Sequence, residues 1–343
     1  MATAQEYYVN GSKCDGLDMP TFREYLAGMD RYGILILLIS AALLAASVFL
    51  FLDITYYVIR RSASRVKAYT TFVLAVYPVT SLVSFFAILL PRANLLAEAI
   101  TQGAFMAGMY KLFCLFMAYS GGCHQLAQME GPKRLMLNVG PCCCWPCCHL
   151  PTFKMDKRTF MFLRLLVFQL PVVQSLIYLV YLIMWAEQES LYLVNYMYLQ
   201  PIVILSILVG VWGMAMAINI LKNTLNEEFK LFGKFIVLQL VLVFSKLQGF
   251  ITRCLVWQDV LPCDPPIIPQ VYANLIHNTL MMAEMVILAF LARKLYKREL
   301  PCVNEVRKGN VNIIKKTITT NQSCDIIEKD VKESSAYDNV AYE

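Results

Sequence analysis

Long apolar stretches separated by short polar segments dominate the chain. A helix needs about 20 mostly apolar residues to cross the hydrocarbon of a bilayer, and seven stretches reach that length. We expect spans at approximately Gly33–Ile59, Tyr69–Leu90, Leu95–Tyr119, Phe162–Trp185, Tyr192–Leu221, Phe235–Trp257 and Val271–Tyr296. The pattern therefore predicts an all-α membrane protein, a bundle of seven transmembrane helices.

The composition agrees with this interpretation. The chain has 343 residues, of which 58% are hydrophobic and 16% are charged, whereas a typical soluble domain has about 25% charged residues. The segment before the first span is polar, and the apolar run that follows is too long for the core of a cleavable signal peptide. We therefore expect no such peptide.

The basic residues are distributed unevenly among the loops. Most lie in the first, third and fifth loops and at the start of the tail, whereas the second, fourth and sixth loops carry few. Lysine and arginine are enriched on the cytosolic side of membrane proteins, so we expect the N-terminus outside and the C-terminus in the cytosol. The net charge of +6 is then mostly a membrane-orienting charge, and nothing in the sequence argues for nucleic-acid binding.

Three segments follow from these patterns. We expect residues 1–32 to form an extracellular N-terminal segment and residues 33–297 the seven-helix domain, with a cytosolic cysteine-rich loop at 120–160. Residues 298–343 form a polar cytosolic tail that we expect to be disordered. Asn10 begins an Asn-Gly-Ser sequon in the outer segment and is a candidate for N-glycosylation. The stretch after Pro20 forms either a short surface helix, with Phe22, Leu26 and Met29 on one face, or an unstructured lead-in.

The third loop contains the densest chemical feature of the chain. Five thiols fall within seven positions, at Cys142, Cys143, Cys144, Cys147 and Cys148. The reducing cytosol disfavours a structural disulfide, and Cys144 and Cys147 lack the βαβ context of a thioredoxin-type redox pair. Zinc is an alternative, although one contiguous run constrains a tetrahedral site poorly. Palmitoylation needs only thiols beside the inner leaflet. We therefore expect acylated cysteines that anchor the loop to membrane lipids, with an unmodified loop as the other alternative.

Polar side chains inside the spans are the candidates for a solute pathway. Such groups are costly at membrane depth and are usually paired, buried in the bundle or in contact with water. The candidates are Glu98, Lys111, Gln174, Gln239, Lys246, His277 and Glu284. Either lysine could bind the acid group of an amphipathic anion, or could form an internal ion pair, for example with Glu284, that only holds helices together. The glutamines are equally compatible with hydrogen bonds between helices, and His277 with a satisfied hydrogen bond.

Three prolines lie within predicted spans: Pro78, Pro171 and Pro201. Broken membrane helices can open a binding site. Proline kinks alone are nevertheless common in membrane helices, so both interpretations stay open.

The cysteine run and several positions along the spans resemble the organic solute transporter alpha family. The specific part of the resemblance is Gly140-Pro141-Cys142-Cys143-Cys144-Trp145-Pro146-Cys147-Cys148. The other matching positions are Pro91-Arg92, Glu98, Gly121-Gly122, Phe168-Gln169, Lys234-Phe235, Gln239, Cys263 and Glu284. Two positions depart from the family pattern, because Trp145 stands where relatives can have cysteine and Gln174 stands where a basic residue is expected.

The resemblance implies a facilitative, sodium-independent carrier of bile acids, conjugated steroids and similar amphipathic organic anions. It also implies a single-span beta subunit as partner and the basolateral plasma membrane of epithelial cells as location. We expect no enzyme activity, metal or cofactor.

The opposing hypothesis is a G-protein-coupled receptor, which has the same topology. However, the third span ends in "FMAYSGG" without Asp/Glu-Arg-Tyr, and the seventh lacks Asn-Pro-x-x-Tyr. A protein acyltransferase is a more remote alternative, because the Asp-His-His-Cys core is absent. A pump driven by ATP is not supported, since the chain lacks a glycine-rich nucleotide-binding loop.

Overall fold

The structure is a computed structural model that describes residues 20–28, 31–62, 64–120, 134–136, 152–154, 157–187, 189–222, 229–258, 260–262 and 268–297. Within these residues, seven helices are long and apolar enough to cross a membrane. The predicted seven-helix architecture is therefore confirmed. The orientation of the bundle and the division into three segments stay predictions.

A short helix, α1 (Phe22–Ala27), precedes the bundle. The seven long helices are α2 (Arg31–Arg61), α3 (Ser64–Leu89), α4 (Asn94–Tyr119), α5 (Lys157–Glu187), α6 (Glu189–Lys222), α7 (Leu231–Trp257) and α8 (Pro269–Tyr296). A 3-10 turn, Pro91–Ala93, joins α3 to α4.

Two short strands lie in the long loop between α4 and α5. Strand β1 (Arg134–Met136) pairs antiparallel with β2 (Thr152–Lys154), so that Leu135 is opposite Phe153. These six residues leave the all-α class unchanged, because every predicted span is a helix. The hairpin brackets the cysteine run in sequence, but residues 142–148 lie outside the described part of the chain.

The helices pack into two groups that meet at α4. Helix α3 packs against α2, α4 and α8, and α8 also packs against α2 and α7. Helices α5 and α6 pair closely with each other and join the rest mainly through the contact of α5 with α4. Helices α6 and α7 contact each other only sparsely. The result is a gap between the α5–α6 pair and α7.

The three prolines do not break their helices. Pro78, Pro171 and Pro201 lie inside α3, α5 and α6, and each helix continues through its proline. Of the two interpretations left open by the sequence, the structure therefore favours prolines within continuous helices over broken helices. A proline removes the hydrogen bond of its missing N–H and crowds the preceding turn, but membrane helices accommodate both effects through neighbouring helices and small local adjustments.

Helix α1 packs on the end of the bundle at which α4 begins, called here the α1 end. Thr21 caps the helix, because its side chain accepts from the Glu24 N–H at 3.5 Å while the Glu24 carboxylate accepts from the Thr21 N–H at 2.8 Å. The bond from the Thr21 backbone lowers the pKa of Glu24. The inward-facing residue is Tyr25, whereas Phe22 and Leu26 are exposed. The short helix thus forms, but the face predicted to be apolar points away from the bundle.

An ionic contact fastens α2 to α8 at the opposite end of the bundle. The Asp53 carboxylate accepts from Arg293 Nε at 2.7 Å and from Lys297 Nζ at 2.8 Å. Helix α2 is exposed along most of its length, so this ionic contact adds a specific attachment to its packing against α3 and α8.

Candidate functional site

A cluster of polar side chains joins the helices near the α1 end. Lys246 of α7 donates to Glu98 Oε1 on α4 at 3.2 Å and to the Tyr178 hydroxyl on α5 at 3.1 Å. The Tyr178 hydroxyl in turn donates to the same oxygen of Glu98 at 3.1 Å. An ammonium, a phenol and a carboxylate therefore form a closed triangle across three helices.

Arg253 extends the cluster to α6. Its Nη1 donates to the Tyr196 hydroxyl at 2.7 Å, and its guanidinium carbon lies 4.6 Å from the centre of the Tyr196 ring. Tyr181 connects the two parts of the cluster, because its ring centre lies 5.6 Å from that of Tyr178 and 5.3 Å from that of Tyr196. These separations are typical of packed aromatic pairs, so the tyrosines form one continuous wall.

His277 of α8 adds a titratable group to the cluster. It interacts electrostatically with Glu98, Lys246 and Arg253. Its Nδ1 is buried and has no hydrogen-bond partner among the described residues. Lys246 and Arg253 each carry a positive charge and Glu98 carries a negative one. With the His277 imidazole neutral, the cluster has a net charge of one positive unit. A cluster of this charge attracts an anion.

The cluster bridges the gap between the α5–α6 pair and α7. The bonds from Lys246 to Tyr178 and from Arg253 to Tyr196 both cross it. The Lys246 and Glu98 side chains are nevertheless 37% and 28% exposed. The charged groups can therefore be approached from outside the bundle.

One face of α7 combines these cations with apolar surface. Residues three, four and seven positions apart share a face of a helix, which places Lys246, Phe250, Arg253 and Trp257 in one stripe. Phe250 is 66% exposed and Trp257 is 84% exposed. Two cations thus lie beside an apolar surface, which suits a molecule that has an acid group on an apolar body.

Glu284 does not form the expected ion pair. Gln248 of α7 donates to Glu284 Oε1, while Glu284 Oε2 has no partner among the described residues. Lys246 pairs with Glu98 instead. Lys246 therefore does form an internal ion pair, but with Glu98 rather than with Glu284, the partner that the sequence analysis gave as an example. Helical spacing explains why Gln248 reaches Glu284 and Lys246 does not. Gln248 lies two residues beyond Lys246 and projects from a different side of α7.

Lys111 lies away from the cluster. Its ammonium contacts two rings of α3, at 5.8 Å from the centre of Tyr69 and 5.6 Å from that of Phe72. Thirteen residues of helix separate it from Glu98, about 20 Å at 1.5 Å per residue. Of the two lysines proposed from sequence, the structure brings only Lys246 to the site.

The two glutamines take separate places. Gln174 is buried, and its Nε2 donates to the Val203 carbonyl at 3.2 Å, so it joins α5 to α6. Gln239 lies seven residues before Lys246 on the same side of α7, and its Oε1 is buried without a partner among the described residues. Gln174 Oε1 is likewise buried without a partner among the described residues, so both glutamines remain candidates for the pathway, and Gln174 also links two helices.

Sequence reasoning missed several members of the cluster, namely Arg253, Tyr178, Tyr181 and Tyr196. The seven-residue spacing from Gln239 through Lys246 to Arg253 could have identified Arg253. The tyrosines carried no such signal, because their meeting depends on how α5 and α6 pack.

Lys234 was noted only through the family pattern. It is 2% exposed, and its ammonium lies 3.0 Å from the Tyr119 hydroxyl and 4.8 Å from the centre of the Tyr296 ring.

The remaining predicted sites lie outside the described residues. These are the glycosylation candidate Asn10 and the palmitoylation candidates Cys142, Cys143, Cys144, Cys147 and Cys148. Among the described residues, no group of three or more histidine, cysteine or acidic side chains is arranged to hold a metal ion.

A seven-helix bundle whose helices are long and apolar enough to span a bilayer defines a multi-pass membrane protein. Comparison with protein families then places it further: the family described as "Organic solute transporter Ostalpha" matches residues 34–300, and the chain belongs to this family. The members are named as transporter subunits, so the chain is a transport protein and not an enzyme. The receptor and acyltransferase alternatives find no support in this comparison.

Named relatives match along most of the chain. The organic solute transporter subunit alpha of Danio rerio is 22% identical over 79% of this chain and 84% of its own length. The organic solute transporter alpha-like protein of Drosophila melanogaster is 24% identical over 84% of this chain and 88% of its own length. The subunit alpha of Leucoraja erinaceus is 24% identical, with 76% of each chain covered. No solved structure matches this chain.

Proposed function

We propose that the chain is the alpha subunit of a carrier that moves amphipathic organic anions across the membrane down their gradient, without sodium. Bile acids and conjugated steroids are the solutes that fit best. They combine a rigid apolar body with one acid group, and the site combines an apolar surface with two cations.

The observation that carries this proposal is the arrangement of Lys246 and Arg253 on the exposed face of α7. Both cations lie at the gap between α7 and the α5–α6 pair, and Phe250 and Trp257 continue the same face. A carboxylate or sulfonate can bind the ammonium and the guanidinium by charge-assisted hydrogen bonds, while the steroid body lies against the apolar part of the stripe. Binding along the gap leaves part of the solute in contact with lipid.

Family membership and the charge distribution of the loops support a proposal for the assembly and its location. The proposed partner is a single-span beta subunit, and the proposed location is the plasma membrane, basolateral in epithelial cells. With the N-terminus outside and the tail in the cytosol, the α1 end of the bundle and its polar cluster lie towards the outside. The sequon at Asn10 is then accessible to glycosylation.

Uptake of radiolabelled taurocholate tests the proposed function. Cells that co-express the chain with a beta subunit of the family should accumulate taurocholate in sodium-free medium. Cells that express either subunit alone should accumulate it at the background rate. Absence of uptake from cells with both subunits at the surface would contradict the proposal, and ligand-dependent second messengers in those cells would favour a receptor.

We also propose that the five cysteines of the third loop carry palmitoyl chains. Two or more acyl chains anchor a segment stably to a bilayer, whereas one gives only weak binding. In an acyl-exchange assay, hydroxylamine cleaves each thioester and the freed thiol takes a mass tag, so wild type should show a mass shift that requires hydroxylamine. A variant with all five cysteines changed to serine should lose the shift at equal expression. The same shift in both proteins would contradict acylation of this loop.

A further inference from the structure

Glu98 occupies the donors that an incoming acid group would need. One of its carboxylate oxygens accepts from both the Lys246 ammonium and the Tyr178 hydroxyl. Arg253 also acts electrostatically on this carboxylate. A carboxylate or sulfonate on a solute would seek the same ammonium and the same guanidinium. The carboxylate of Glu98 therefore occupies the position that the acid group of a solute would take.

The resident ion pair has the geometry of an exchangeable contact. Its N–O distance is 3.2 Å, whereas charge-assisted N–H···O bonds are usually about 2.7–2.9 Å long. Both partners remain partly exposed, at 37% for Lys246 and 28% for Glu98. The contact between Asp53 and Arg293 elsewhere in the bundle is shorter, at 2.7 Å. The Arg293 and Asp53 side chains are about equally exposed, at 38% and 30%, so the longer N–O distance marks the Lys246–Glu98 pair as the one that a competing anion can displace.

We propose that Glu98 is a resident competitor for the solute-binding cations, and that it sets both the affinity for the anion and the speed of its release. This inference rests on the proposed function and assigns a role that binding alone does not require. While Glu98 holds Lys246, the site cannot bind solute, so the apparent affinity is reduced by the fraction of time that the site is free. When the solute leaves, Glu98 returns to Lys246, and the ammonium is not left unpaired inside the bundle.

A carrier driven only by a gradient benefits from this arrangement. Very tight binding would slow release on the far side of the membrane, and rate at a given solute concentration is favoured when binding is not tighter than the working concentration. An internal carboxylate weakens binding and assists release in one step. It also favours anions over neutral solutes, because only an acid group can replace Glu98 at the cations.

Initial rates of taurocholate uptake by Glu98→Gln test the proposal. The amide keeps the size of the side chain but removes its charge, so KM should fall about threefold to tenfold. The maximal rate per surface copy should fall as well, because release loses its competitor. Surface biotinylation supplies the number of copies. Glu98→Asp withdraws the carboxylate from Lys246 by one methylene and should lower KM in the same direction by a smaller factor.

Asp53→Asn is the matched control. It also removes a carboxylate that binds two cations within the bundle, but on α2 and away from the cluster, so it should leave KM unchanged. Normal wild-type uptake with an unchanged or raised KM in Glu98→Gln would overturn the competitor role and leave the proposed function intact. Loss of both Glu98 variants from the surface, with recovery in Glu98→Gln/Lys246→Met, would show a helix-holding ion pair and overturn it too. Absent wild-type uptake would instead contradict the proposed function.

Discussion

Lys246→Met should reduce taurocholate uptake by about tenfold or more, a change equivalent to at least 1.4 kcal/mol of lost interaction with the solute. Methionine keeps a long unbranched side chain but removes the ammonium. Glu98 then remains with the Tyr178 hydroxyl and the field of Arg253, and the cluster loses its net positive charge. An approaching acid group meets a carboxylate without the cation that offsets it. The measurement is the initial uptake rate divided by the number of copies at the surface.

Lys111→Met supplies the matched control for this substitution. It also removes a lysine from within the bundle, but one that lies against the rings of Tyr69 and Phe72 and away from the cluster. It should retain uptake in proportion to its surface expression. Lys246→Arg should retain more uptake than Lys246→Met, because it keeps the charge. Similar losses in Lys246→Met and Lys111→Met, or losses that only follow surface expression, would assign Lys246 to folding.

Substitutions of Lys246 and of Glu98 should change KM in opposite directions. This difference distinguishes a binding site from an ion pair that has only a structural role. If the pair only holds α4 to α7, removing either partner leaves an unpaired charge within the membrane and should reduce expression in both cases. If the cations bind the solute, Lys246→Met raises KM while Glu98→Gln lowers it. The wild-type contact alone does not distinguish these roles, whereas the pair of variants does.

The sequence predicts the spans well because their signal is local. About 20 consecutive apolar residues suffice to identify a membrane helix, and each predicted span falls on one of the helices α2–α8. The loops gave a second local signal, that of the basic residues. Proline was an ambiguous local signal, and the structure decides it, because α3, α5 and α6 continue through Pro78, Pro171 and Pro201.

The site was predictable only in part, because it depends on which helix faces lie against one another. Glu98 and Lys246 were recognisable as costly charges within spans, but their pairing was not, since 148 residues separate them. The sequence analysis named Glu284, and not Glu98, as an example of a partner for either lysine. Tyr178 and Tyr196 enter the site through the pairing of α5 with α6, which no periodicity in either helix reveals. Tyr25 shows the same limit for α1, where the buried residue lies beside the predicted face and not on it.

Gly210→Ala should lower the stability of the protein, because Gly210 lies where α5 and α6 pack closely. A Cβ atom at Gly210 would overlap the side chain of Leu170 on α5, which is 1% exposed. At Gly213, one turn further along, a Cβ atom would lie 3.0 Å from that of Leu166. Small residues at helix contacts in membranes allow this close approach. Overpacking a tight contact costs about 1–3 kcal/mol, so the purified protein should melt several degrees lower and at reduced yield.

Two other glycines within the spans provide the control for Gly210→Ala. A Cβ atom at Gly103 or at Gly249 meets no atom within 4 Å, so Gly103→Ala and Gly249→Ala should melt with the wild type or above it, since alanine favours a helix over glycine. Leu170→Ala removes the obstructing side chain and should restore part of the stability of Gly210→Ala. Melting followed by fluorescence-detected size-exclusion chromatography compares all four variants. If Gly210→Ala had the same melting temperature as Gly249→Ala, the α5–α6 contact would accommodate the added methyl group without strain. The wall formed by Tyr178, Tyr181 and Tyr196 would then need another explanation for its alignment beside α7.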